Sequence, residues 1–262
     1  MKKQNQQQIR EYLLEQLLKE DPRYSEIQIP LFENEQKKLL RALMNVRPPK
    51  AASEEFLKEQ DLYLKEEIRC KGITDVSHLQ PVLPGIYVWK GDITTLHCDA
   101  IVNAANSQML GCFHPNHGCI DNAIHTFAGI QLRKACADLM AENPGYLPTG
   151  KAVLTPAFNL PAKAVIHTVG PIVYGSLTDQ ERDQLADCYR NSLVLADANG
   201  LKSIAFCCIS TGEFRFPGPE AAKIAVASVE RYKKQTGSEI EVIFNVFKDE
   251  DEAIYRKLLA EY

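Results

Sequence analysis

The chain has no apolar run near the roughly 20 residues needed to span a bilayer, no internal repeat and no low-complexity tract. Its opening MKKQNQQQIR is basic but continues into glutamine rather than an apolar core, so a secretory signal is not expected. It also lacks a charge excess. With 30 Lys+Arg against 34 Asp+Glu the formal net charge is -4, and no basic–aromatic stripe appears, which argues against a nucleic-acid coat protein. Eight cysteines would suit a disulfide scaffold only in a short secreted chain, and nothing else here points to one. Cys98, Cys188, Cys207 and Cys208 lie in apolar segments, where cysteine acts as a small buried hydrophobe. A reduced, cytoplasmic monomer with no membrane and no nucleic-acid partner is expected.

What is present changes character near residue 80. Residues 1–80 are rich in Gln, Glu, Lys and Leu, and predict three helices at roughly 5–20, 31–46 and 53–70. No residue cluster there suggests chemistry, so the segment reads as a helical appendage. Residues 81–262 alternate short β-branched runs with helix-period segments. Strands are expected at Ile86-Tyr87-Val88-Trp89, Ala100-Ile101-Val102-Asn103, Ala152-Val153-Leu154, Ala164-Val165-Ile166, Ile204-Ala205-Phe206-Cys207 and Val242-Ile243-Phe244. Between them, Ile124, Ala128, Leu132, Ala135 and Leu139 share one helical face. A second helix starts from a Thr178…Glu181 capping box and stops at Asn199-Gly200, and a third begins at Pro219. Apolar strands alternating with helices imply an α/β fold, a mostly parallel sheet covered on both faces.

Ligands of such sheets bind at the carboxyl ends of the strands, and three segments there carry unusual residues. Ser210-Thr211-Gly212-Glu213-Phe214 leads toward a helix N-terminus and offers backbone N–H groups to an anion, phosphate being the usual guest. Asn103-Ala104-Ala105-Asn106 places two amides beside small residues; an Asx-type turn is the plain alternative. Cys112-Phe113-His114-Pro115-Asn116-His117-Gly118-Cys119 packs two cysteines and two histidines into eight residues, a donor set zinc favours. Four ligands would make a closed structural site. Three, from Cys112, His117 and Cys119, would leave an open position for chemistry, and strain at Pro115 favours three. Asp121, just past the last donor, is either a first-turn carboxylate or a base facing that position.

Taken together these segments resemble the macrodomain family. The matching elements run in order: Gly91-Asp92-Ile93-Thr94, Val102-Asn103-Ala104-Ala105-Asn106, Asp121-Asn122-Ala123-Ile124-His125 with Ala128-Gly129, and Ile209-Ser210-Thr211-Gly212. The Cys112…His117-Gly118-Cys119 segment stands where ordinary members carry a glycine-rich loop, as in the zinc-dependent branch, whose members also carry a helical N-terminal extension. The resemblance implies a three-layer α/β/α macrodomain that removes mono-ADP-ribose from protein side chains, with one zinc ion and a carboxylate-linked ester. It implies Asp92 and Ile93 at adenine, Asn106 at the distal ribose, and Ile120, Asp121 and Asn122 lining the same site. Ser210, Thr211, Gly212, Glu213 and Phe214 would wrap the diphosphate, with Phe247 a weaker candidate for adenine. Zinc ligation falls on Cys112, His117 and Cys119, with Asn106 and Asp121 catalytic, His114 toward solvent and His125 a structural helix residue. Arg215-Phe216 departs from the family's Gly-aromatic pattern. Some members of the branch serve lipoyl-carrier proteins. A non-catalytic ADP-ribose reader and an O-acetyl-ADP-ribose deacetylase are the alternatives.

Overall fold

A computed structural model describes residues 3–142 and 145–261, which form eight α-helices and eight strands. Three helices come first: α1 (Lys3–Lys19), α2 (Glu33–Val46) and α3 (Glu54–Lys71). The leucine-rich spacing explains them. Leu13, Leu14 and Leu17 of α1 meet Leu40, Leu43 and Met44 of α2 and Phe56 and Leu64 of α3 in a separate small core. Burial of each such side chain contributes at most about 1.5–3 kcal/mol. Ser53 caps α3 by accepting from the Phe56 amide.

Short strands β1 (Thr74–Asp75) and β3 (Leu96–His97) pair with each other. The main sheet contains β2 (Ile86–Lys90), β4 (Ala100–Ala104), β5 (Ala152–Pro156), β6 (Ala164–Thr168), β7 (Ser203–Phe206) and β8 (Glu241–Val246). Its order is β2-β8-β7-β4-β6-β5, parallel throughout except that edge strand β5 runs antiparallel to β6. All six expected strands are therefore present. The central ones, β6 and β7, are buried at every position, which is why they read as continuous apolar runs rather than alternating ones.

Helices α4 (Ile120–Ala128) and α5 (Ile130–Ala141) follow β4 and lie against β4 and β5. Helices α6 (Asp179–Ala198), α7 (Gly218–Thr236) and α8 (Asp249–Leu259) pack on one another in sequence. The Thr178–Glu181 capping box forms, and α6 ends at Asn199. One expectation is corrected. The face running from Ile124 to Leu139 belongs to two helices, broken at Gly129 (φ 97°). A Cβ there would stand 2.5 Å from Gln131 Oε1 and 2.7 Å from Gln60 Nε2, and the Gln60 side chain of α3 accepts from the Ile130 amide at 3.0 Å. A tertiary cap thus starts α5, which no local pattern announces.

Candidate functional site

Parallel strands send their carboxyl ends to one edge of the sheet, so the segments after β2, β8, β7, β4 and β6 meet there: Asp92, Phe247, Ser210, Asn106 and Gly170. After β2, Asp92 caps a short 3-10 turn by accepting from the Thr94 amide and hydroxyl, and Ile93 is buried beside it. Its second carboxylate oxygen accepts from Lys71 Nζ of α3 at 2.8 Å. Despite burial, which acts against ionisation, hydrogen bonds from Lys71 and Thr94 hold this carboxyl below the ordinary range. Lys71 also lies 3.4 Å from the centre of the Phe127 ring.

After β4, Asn106 Nδ2 donates to the Gly111 carbonyl at 3.1 Å and reaches Asp121 Oδ2 at 3.4 Å. The other Asp121 oxygen accepts from Asn103 Nδ2 at 2.8 Å. Asp121, in the first turn of α4, is only 6% exposed, and burial pushes its carboxyl up to about 6, against the Asn103 hydrogen bond and the Arg133 charge. Both asparagines of the Asn-Ala-Ala-Asn segment therefore grip one carboxylate, and the plain Asx turn is only part of their work: Asn106 Oδ1 does accept from the Gln108 amide.

The loop between Asn106 and α4 brings donor atoms of Cys112, His117 and Cys119 within 4.8 Å of one another. Cys112 Sγ lies 3.5 Å from His117 Nδ1, close to the roughly 3.5 Å that zinc–sulfur and zinc–nitrogen bond lengths give between tetrahedral neighbours. His114 is exposed and stands outside the set. Two thiols and an imidazole are the donor types that zinc takes. Cys119 is also the N-cap of α4, accepting from the Asn122 amide, and burial pushes its thiol up to about 11 against that bond. A cation is then what favours the thiolate. Ile120 is half-buried at the first position of α4, and Asn122 is fully buried behind the loop.

After β7, Ser210 adopts φ 65° and Arg215 φ 59°, so the loop curls until Phe216 N donates to Ser210 O at 2.9 Å. The amides of Gly212, Glu213 and Phe214 make no hydrogen bond among the described residues, which leaves them available to an anion. Ser210 Oγ is buried without a partner and fills the notch at Gly170, where a Cβ would stand 2.0 Å from it. Glu213 Oε1 lies 3.7 Å from His117 Nε2, so the loop after β7 and the donor loop touch through these side chains. Arg215 is exposed. Phe247 is 78% exposed at the end of β8, which removes the ordinary core role for that ring.

A second group, His125, Cys136 and His167, could also hold a metal by donor spacing, and all three are buried. Burial lowers both imidazoles, His167 to about 3, so both are neutral. His167 is engaged on both nitrogens, with Asn103 Nδ2 at 3.1 Å and Thr155 Oγ1 at 3.0 Å. His125 has no hydrogen-bond partner on either nitrogen, and its ring supports the loop at Gly111, where a Cβ would come within 2.9 Å of it.

Sequence reading missed several residues at this edge. Arg41, Asn45 and Lys71 of the N-terminal helices reach the loops. Arg133 of α5 donates from Nε to Leu110 O at 2.7 Å and from Nη1 to Arg47 O at 2.5 Å, tying α5 to the donor loop and to the end of α2. On a helix these look like ordinary solvated polar groups. The cluster at His125 had a partial signal in the Asp121-x-x-x-His125 spacing, one helical turn apart.

Comparison with known proteins agrees with this fold. A Macro domain family model matches residues 102–225. A "Protein-ADP-ribose hydrolase" of Treponema medium is 58% identical over 253 residues, covering 95% of this chain and 97% of that one. A protein of the same name from Staphylococcus aureus strain Mu50 is 46% identical over 251 residues, covering 95% and 94%. Among solved structures, a Trypanosoma brucei macrodomain in complex with ADP-ribose superposes with TM-score 0.65 at 31% identity, over 83% of this chain and 94% of that one. An Oceanobacillus iheyensis macrodomain with ADP gives 0.61 at 37%, over 67% and 90%. With this sheet order, this loop edge and relatives that align over nearly its whole length, the chain belongs to the macrodomain family.

Proposed function

We propose that this chain is a protein-ADP-ribose hydrolase that releases mono-ADP-ribose from a carboxylate side chain, with one zinc ion held by Cys112, His117 and Cys119. In this reading residues 81–262 form the catalytic domain and residues 1–80 an extension of it. The observation that carries the proposal is the adjacency of the donor set to Asp121, a buried carboxylate gripped by Asn103 and Asn106. Relatives bearing the hydrolase name support it.

Zinc bound there would supply Lewis acidity toward a ribose or ester oxygen, or a more acidic water. The rest follows from the chain's own residues. Asp92 accepts from the adenine amino group, and Ile93 packs beside the base. The free amides of residues 212–214 and the Ser210 hydroxyl take the diphosphate, with Thr211 and Glu213 shaping the loop and Phe214 covering the distal ribose. Ile120 and Asn122 line the floor, and Asn106 aligns that sugar. Asp121 takes the proton of an attacking water as its oxygen bonds to the anomeric carbon. The bond from that carbon to the carboxylate oxygen breaks, and the protein carboxylate leaves with the electron pair.

The test pairs zinc content with ADP-ribose release from a carboxylate-linked mono-ADP-ribosylated protein, a lipoyl-carrier protein being the first to try. About one zinc per chain, with turnover lost on chelation and restored by zinc, is expected. Full turnover by metal-stripped protein would overturn the zinc assignment. Tight ADP-ribose binding without release from any linkage would make the chain a reader.

A further inference from the structure

We infer that helix α2, through Arg41 and Asn45, is a positioning element for the donor loop, so that the N-terminal helices form part of the site rather than an appendage beside it. The inference rests on the metal reading of Cys112, His117 and Cys119.

The loop has little of its own to hold it. Within residues 112–119 the backbone makes one internal hydrogen bond, His117 N to His114 O at 3.3 Å. The remaining anchors come from outside. Arg41 Nη2 donates to His117 O at 3.0 Å and to Asn122 Oδ1 at 2.8 Å, and Nε reaches the same Asn122 oxygen at 3.2 Å. Asn122 passes the restraint on: its Nδ2 donates to His114 O at 3.0 Å and lies 3.5 Å from Cys112 O, and its amide reaches Cys119 Sγ at 3.4 Å. One helical turn further along α2, Asn45 is 1% exposed. Its Oδ1 accepts from the Asn116 amide at 3.0 Å, and its Nδ2 donates to Thr126 Oγ1 at 2.9 Å. Asn116 sits at φ 54°, so this bond secures the turn at the tip of the loop.

Arg41 and Asn45, four residues apart, project from one face of α2. Between them they fix the backbone on either side of His117 and, through Asn122, beside both cysteines. Partners behind first ligands orient them, and removing one typically lowers metal affinity by about 10–100-fold. Positive charge at Arg41 also lies near Cys119, a favourable placement for a thiolate.

The experiment uses the full chain and the variants Arg41→Ala, Asn45→Ala, Arg41→Lys and, as a control on the same helix, the exposed Lys38→Ala. Zinc affinity is read by competition with a chromophoric chelator, ligand geometry from the absorption of the cobalt(II) form, and loop order by amide exchange over residues 110–119 in metal-free protein. Both alanine variants are expected to lose about 10–100-fold in zinc affinity, shift the cobalt bands and exchange faster in the loop, with unchanged far-UV circular dichroism. Arg41→Lys is expected to recover part of the affinity, since an ammonium reaches one acceptor but does not span both. Lys38→Ala matches the wild type. Zinc affinity within twofold of the wild type in both alanine variants, with unchanged cobalt bands, overturns the inference. If the wild type takes up no zinc, the metal reading falls separately, and the positioning role is then judged by loop exchange: unchanged exchange in Arg41→Ala and Asn45→Ala overturns it too.

Discussion

The N-terminal helices and the sheet domain differ in how each is made and in what each gives to the candidate site. The sheet domain holds itself by apolar strands such as Val165-Ile166 and Ile204-Ala205, completely buried, and presents long loops at one edge. The helices have their own small core of leucines, which Ile130 of α5 joins. Ile68 of α3 enters the main core, and at the loops the helices act through polar side chains: Gln60 starts α5, Lys71 holds Asp92, and Arg41 and Asn45 hold the donor loop. Groups placed for chemistry thus come from one region and much of their restraint from the other. A buried polar contact stabilises modestly when made but costs more when half of it is removed, so such a boundary specifies geometry more than it adds stability.

That contrast can be broken by substitution on either side. The largest effect is expected on the sheet side: Cys119→Ala or His117→Ala abolishes turnover in a release assay and removes the bound zinc, and retained activity would defeat the division. Next, Asp121→Ala lowers kcat by about 10²–10⁴-fold while ADP-ribose affinity, measured by calorimetry, changes little; an equal loss of affinity would make Asp121 a binding group.

On the helix side, Gln60→Ala leaves the buried Ile130 amide without its acceptor. It is expected to cost about 1–3 kcal/mol of stability by denaturant unfolding, with kcat unchanged in the folded protein. The smallest and most discriminating change is Ser210→Ala. Its hydroxyl is buried without a partner, so the ligand-free protein is expected to be as stable or about 1 kcal/mol more stable. ADP-ribose affinity should fall by about 3–10-fold, the loss of one hydrogen bond. A destabilised free protein with unaltered affinity would show that the hydroxyl serves the fold instead of the anion.

Much of this was legible because local rules carried it. The capping box at Thr178, the strand runs and the three N-terminal helices were set by short-range chemistry and hydrophobic period. The donor loop announced itself by composition, and donor atoms of Cys112, His117 and Cys119 lie within 4.8 Å of one another. Illegible features depend on partners distant in sequence. The break at Gly129 needs Gln60 and Asn159, and the restraint on the donor loop needs Arg41 and Asn45, some 70 to 80 residues away. Phe247 could not be placed by type, because an aromatic at a strand end suits a core or an open edge equally.

By itself the sequence determined most of the elements, their apolar faces and a mostly parallel sheet, since periodicity, caps and residue chemistry act over one or two turns of chain. Only the tertiary structure decided which polar side chain meets which loop. Such pairing depends on the angle at which helices dock and on donors and acceptors finding one another across the fold, and a hydrogen bond is satisfied by geometry that residue type alone does not encode.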